Sequence, residues 1–105
     1  MKSKIIICVL ALTLAAAGAA LAHTPLCSCY ENGDGTVTCE GGFSDGSSAA
    51  GVQMRVEDGG GKILINGRMD ADSEFTFKKP AGPYTVHFDA GEGHKIEIDG
   101  KDIVE

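Results

Sequence analysis

Apolar and polar residues alternate along much of the second half of the chain. The pattern is clear in residues 52–57 (VQMRVE), and it recurs in residues 74–78, 83–88 and 94–99. A period of two places every second side chain on the same face of a β-strand. We therefore predict that these segments are strands with one buried face and one face in water.

Glycine, asparagine, aspartate and serine cluster between the alternating segments, which is typical of turns. The NGDG sequence at residues 32–35 is a candidate hairpin turn between two further strands. Short strands at spacings of about 8–12 residues indicate an antiparallel sandwich. The sequence thus predicts an all-β fold without helices after residue 22, a small antiparallel β-sandwich of immunoglobulin-like or transthyretin-like type. The seven predicted strands are residues 27–30, 36–43, 52–57, 62–68, 74–78, 83–88 and 94–99.

The first 22 residues have the composition of a signal peptide. Lys2 and Lys4 precede an apolar run over residues 5–14, and Ala-Leu-Ala at residues 20–22 supplies the small residues that a signal peptidase requires. We predict cleavage between Ala22 and His23, which leaves a periplasmic or secreted protein. A leader retained as a membrane anchor is the alternative.

Residues 23–105 are predicted to form a single domain, with a cysteine-containing hairpin at 27–43 and a core at 51–99. This domain holds 7 basic and 15 acidic residues, a net charge of −8. Such a charge argues against nucleic acid or an anionic membrane as a partner and suits a metal cation or a basic protein. We find no pattern of catalytic residues, so we expect no enzyme activity, and no stable membrane insertion after signal cleavage.

Three cysteines, Cys27, Cys29 and Cys39, lie in the predicted hairpin. A hairpin centred near Asp34 puts Cys29 directly opposite Cys39, so an exported protein is expected to form this disulfide and to leave Cys27 free. The rival interpretation is a thiolate site for copper, zinc or nickel, with His23 as a fourth ligand. Unpaired or intermolecularly paired thiols are the third possibility.

Signal cleavage would give His23 a free α-amine. The amine and the imidazole of one residue can chelate a single metal ion, and nitrogen ligands suit Ni(II), Co(II) or Cu(II). A solvated histidine that merely follows the cleavage site is the alternative. His87, on the polar face of its strand, and His94, after the next glycine-rich loop, are candidates to complete the site. Each could instead be a surface or capping histidine.

Three segments carry a resemblance to a known group of proteins. Residues 51–58 (GVQMRVED), 61–77 (GKILINGRMDADSEFTF) and 81–94 (AGPYTVHFDAGEGH) resemble the carboxypeptidase regulatory-like, transthyretin-like β-sandwich superfamily. The chain is more particularly similar to small periplasmic accessory components of bacterial nickel/cobalt uptake transporters. In that group the leader ends just before a histidine, and segments like residues 43–46 (FSDG) and 89–94 (DAGEGH) recur.

The resemblance implies an exported metal-handling accessory domain that captures or presents Ni(II) or Co(II) to an uptake transporter. His23 is then the main ligand, with help from His94 or His87, and membrane components of the transporter are the expected partners. No organic cofactor is expected. The alternatives are a non-catalytic structural or protein-interaction module, and a copper or redox protein that uses Cys27, Cys29 and Cys39.

Overall fold

The structure, a computed structural model, describes residues 23–105. The predicted signal peptide, residues 1–22, lies outside this range. Seven strands form two antiparallel sheets within it, so the predicted all-β sandwich is confirmed. The strands are β1 (Pro25–Glu31), β2 (Thr36–Phe43), β3 (Gln53–Asp58), β4 (Ile63–Arg68), β5 (Glu74–Lys78), β6 (Tyr84–Asp89) and β7 (Lys95–Asp99).

One sheet has the strand order β1-β2-β5 and the other has the order β4-β3-β6-β7. The alternation in the sequence explains which faces meet, because the apolar positions of β2, β3 and β6 all point between the sheets. Val56 pairs with Val86 at the centre of the larger sheet, and both are fully buried. The largest fully buried side chains are Phe88, Met54, Val37, Val56, Val86 and Cys39.

The hairpin turn forms where it was predicted. Gly33 and Gly35 have φ angles of 82° and 90°, a region that glycine adopts without steric cost. The Asp34 carboxylate accepts a hydrogen bond of 3.0 Å from the Thr36 N–H, which closes the turn. Strand β1 is longer than predicted and begins at Pro25, because Pro25 still pairs with Phe43 on β2.

The C-terminal residues add a feature that the alternation did not predict. Gly100–Asp102 form one turn of 3-10 helix, capped by the Asp99 carboxylate, and Ile103 returns into the core. The Glu31 N–H then donates a hydrogen bond of 3.0 Å to the Val104 carbonyl. The tail therefore covers part of the open edge of β1.

One end of the sandwich is called here the histidine end. The end of β2 meets the end of β6 there, since the rings of Phe43 and Phe88 pack edge-to-face at 6.2 Å. His23 precedes β1 and His94 precedes β7 at this same end, whereas the turn at residues 32–35 lies at the opposite end. Within residues 23–105, no helix has the length and apolar character needed to cross a membrane.

Candidate functional site

The inner face of the β1–β2 hairpin holds the three cysteines. Cys27 and Cys29 share one face of β1 because they are two residues apart. The antiparallel register puts Cys29 opposite Cys39, with their Cα atoms 4.0 Å apart, and the two form a disulfide. The predicted Cys29–Cys39 pairing is confirmed, and it follows from the position of the hairpin turn.

Cys27 is the free cysteine of this group and is partly buried. Its sulfur and those of Cys29 and Cys39 all lie within 4.8 Å of one another. Burial disfavours the charged thiolate and raises the pKa of Cys27 from 9.0 to about 11. The thiol is therefore protonated at neutral pH and sits next to an existing disulfide.

His23 lies at the histidine end against the turn that follows β2. Its Nδ1 is 2.9 Å from a carboxylate oxygen of Asp45, and its side chain is 60 % exposed. Hydrogen bonds from the hydroxyl and the N–H of Ser47 lower the pKa of Asp45, so this carboxylate stays ionised next to the ring. Sequence reasoning missed Asp45, because only the fold brings residue 45 to residue 23.

The main chain next to His23 is held on both sides. The Thr24 N–H donates a hydrogen bond of 3.1 Å to the Ser44 hydroxyl. The Ser44 N–H in turn donates a hydrogen bond of 2.9 Å to the Thr24 carbonyl. These two bonds extend the β1–β2 pairing by one step beyond Pro25, so the backbone next to His23 has a defined position.

His87 lies on the outer face of the larger sheet, as predicted for its strand. Its Nε2 is 3.4 Å from Glu57 and its Nδ1 is 3.6 Å from Glu97, the residue opposite it on β7. Arg55 on the neighbouring strand β3 also contacts Glu57, at 3.1 Å, and it reaches Asp89 at 3.3 Å. His87 is thus one member of a row of polar side chains on the outer face of the larger sheet, and its neighbours on β3 and β7 account for its position.

His94 ends the tight loop between β6 and β7. Its Nδ1 is 3.2 Å from the Glu92 carbonyl, and its N–H and C=O bond to Gly91 and Ala90. Gly91 and Gly93 have positive φ angles, which give the loop its sharp turn. The histidine therefore contributes to loop closure.

The three histidines do not converge. In the part of the chain that the structure describes, the group of three or more potential metal ligands within 4.8 Å of one another consists of Cys27, Cys29 and Cys39. His23 does not belong to that group, so the four-ligand site with three cysteines and His23 is not formed. His23 and His94 share the histidine end, while His87 lies on the outer face of β6.

Two arrangements can therefore engage in chemistry. One is the exposed imidazole of His23 beside the ionised Asp45, a nitrogen and oxygen pair that suits a borderline cation. The other is the compact group of three sulfurs, which suits a soft ion or thiol chemistry.

No family model, curated protein or solved structure matches this chain.

Proposed function

We propose that the protein is an exported metal-handling accessory domain that captures or presents Ni(II) or Co(II) to an uptake transporter. The proposal rests on one contact, the 2.9 Å approach of His23 Nδ1 to the Asp45 carboxylate. Nitrogen and carboxylate ligands typically lie about 2.0–2.2 Å from a bound transition metal. Two such atoms at neighbouring corners of an octahedron are about 3 Å apart, so the spacing of this pair matches that of two ligands on one ion.

Signal cleavage before His23 would add the α-amine as a third ligand. The amine and Nδ1 of the same residue form a six-membered chelate ring with a metal, and chelation lowers the entropic cost of binding. The fixed backbone of Thr24 supports this arrangement, because it holds the chelating residue beside Asp45. Histidine, amine and carboxylate together form a donor set that Ni(II) and Co(II) accept well.

Charge and position support the same function. The exported domain has 7 basic and 15 acidic residues, so its field attracts cations. His94 and His87 stay outside this site, because within residues 23–105 neither forms a ligand group with His23 and Asp45. An exposed site at the end of a sandwich also suits transfer of the ion to a membrane partner.

The test is calorimetric titration of the exported protein with NiCl₂, after mass spectrometry has established that its first residue is His23. We expect one ion per chain and at least a tenfold loss of affinity in Asp45→Asn and in a protein that retains Ala22. Asp34→Asn is the matched control. Asp34 bonds to the N–H and hydroxyl of Thr36 in the way that Asp45 bonds to Ser47, but it lies at the opposite end.

Equal affinity in the Asp45→Asn and Asp34→Asn variants would contradict the site, and so would binding no tighter than that of a peptide with one internal histidine. Co-purification with the membrane components of a nickel or cobalt transporter tests the partner. We expect Ni(II) to strengthen that complex. A complex that forms equally well without metal would instead favour a protein-interaction module.

A further inference from the structure

The three cysteines form a second arrangement, which is separate from His23. We propose that reduction of the Cys29–Cys39 disulfide converts this group into a three-thiolate site for Cu(I). The site is distinct from the proposed nickel site in position, in ligand type and in its dependence on reduction.

The geometry of the sulfurs fits a three-coordinate ion. A thiolate sulfur typically lies about 2.3 Å from a bound metal, so three sulfurs around a trigonal ion are about 4.0 Å apart. The sulfurs of Cys27, Cys29 and Cys39 already lie within 4.8 Å of one another. Breaking the disulfide lets Cys29 and Cys39 move apart to that spacing while Cys27 stays in place on the same face of β1.

The surroundings favour a soft monovalent ion. No imidazole or carboxylate in residues 23–105 belongs to this group of ligands, so the four protein ligands of a structural zinc site are not provided. Cys27 faces Gly41, against which the Met69 thioether packs, so the neighbourhood is apolar and rich in sulfur. Thiolates and thioethers select Cu(I) over harder cations.

The Cys29–Cys39 disulfide makes the site depend on redox state. In the oxidised chain two of the three sulfurs are bonded to each other, and only Cys27 carries a thiol. A dithiol reductant transfers two electrons and two protons to the disulfide, and becomes a disulfide itself, which yields the Cys29 and Cys39 thiols. Cu(I) then binds as the thiols release their protons to solvent. Strand β1 lies at a sheet edge and Cys27 is partly exposed, which gives the ion a route to the sulfurs.

The experiment is an anaerobic competition between the purified protein and a chromophoric Cu(I) chelator, before and after reduction with dithiothreitol that is then removed. We expect the reduced protein to take one Cu(I) per chain and the oxidised protein to bind at least tenfold more weakly. Thiol titration in denaturant should count three thiols in the reduced exported protein and one in the oxidised protein, which establishes the redox state of each sample.

Two variants separate this site from a two-cysteine site. Cys27→Ser leaves the disulfide pair intact, and after reduction we expect it to bind Cu(I) at least tenfold more weakly than the reduced wild type. Ser28→Ala, at the exposed neighbouring position, is the control and should bind as the wild type does. Far-ultraviolet circular dichroism monitors the β-sheet content in each state.

Full affinity in reduced Cys27→Ser, or equal binding by the oxidised and reduced proteins, would overturn the proposal. A far-ultraviolet β-sheet signal that is lost on reduction and not restored by Cu(I) would overturn it as well, because the site requires the hairpin to persist without the disulfide.

Discussion

Cys27 on β1 lies directly opposite Gly41 on β2, where the hairpin meets the far sheet. A Cβ atom at Gly41 would come within 2.8 Å of both Met69 Sδ and Phe88 Cε2. Both of these side chains belong to the core. The absence of a side chain at residue 41 is therefore what allows the two sheets to approach each other beside the cysteines.

Gly41→Ala is expected to lower the free energy of unfolding by about 1–3 kcal/mol, the usual cost of overpacking a core. Gly42→Ala is the matched control, because a Cβ there meets only the Ser47 carbonyl, at 3.9 Å. Urea denaturation of both variants with the disulfide intact measures the difference. Equal midpoints would mean that Met69 and Phe88 can move aside freely.

Removal of the disulfide is expected to destabilise the protein. Cys29 and Cys39 are 10 residues apart in sequence, and closing a loop of that size stabilises by about 2–3 kcal/mol on the chain-entropy model. The double variant Cys29→Ala/Cys39→Ala should lose this amount in urea denaturation. Dithiothreitol should destabilise the wild type and leave the double variant unchanged, and an effect on the double variant would contradict this reasoning.

The Cys27 thiol should react slowly with iodoacetamide at pH 8. Burial raises its pKa from 9.0 to about 11, and two units reduce the reactive thiolate about a hundredfold at this pH. The alkylation rate of the folded protein should keep rising with pH to about 11. The same chain unfolded in urea is the control, and its rate should level off near pH 9. A plateau at the same pH in both states would contradict the shift.

Tyr84→Phe should raise the free energy of unfolding by about 1 kcal/mol. The Tyr84 hydroxyl is buried and has no hydrogen-bond partner within residues 23–105, and such a group costs stability. The phenylalanine ring of the variant keeps the edge-to-face packing on Phe77, whose ring centroid lies 6.1 Å from that of Tyr84. Tyr30→Phe is the control, because Tyr30 is exposed and its hydroxyl donates a hydrogen bond to Glu40. This variant should change the melting temperature little. A lower melting temperature for Tyr84→Phe would show that its hydroxyl is satisfied in solution.

The strands and the disulfide could be predicted because both depend on the pattern of residues that are near one another in the sequence. Alternation with a period of two in residues 52–57 and 83–88 is itself the burial pattern of β3 and β6. The position of the turn at residues 32–35 determines which residues of the hairpin face each other, and so the pairing of Cys29 with Cys39.

The partners of the histidines could not be predicted in this way. The contact of His23 with Asp45 joins the residue before β1 to the turn that follows β2. The shape of that turn depends on hydrogen bonds made by Ser44 and Ser47. Whether His87 and His94 converge depends on the direction of each ring at the end of a twisted sheet. These are properties of tertiary geometry, which the spacing of residues along the chain does not specify.

The hydrogen-bonded frame of Thr24 and Ser44 also bears on how long an exported chain would keep its first residue. Proteases act most readily on termini that are free of hydrogen bonds. An aminopeptidase that removes His23 must draw Thr24 into its own active site, and this breaks both bonds to Ser44. The lifetime of a histidine terminus is thereby tied to the local stability of the first strand pair, so that the bonds between residues 24 and 44 would protect His23 from removal.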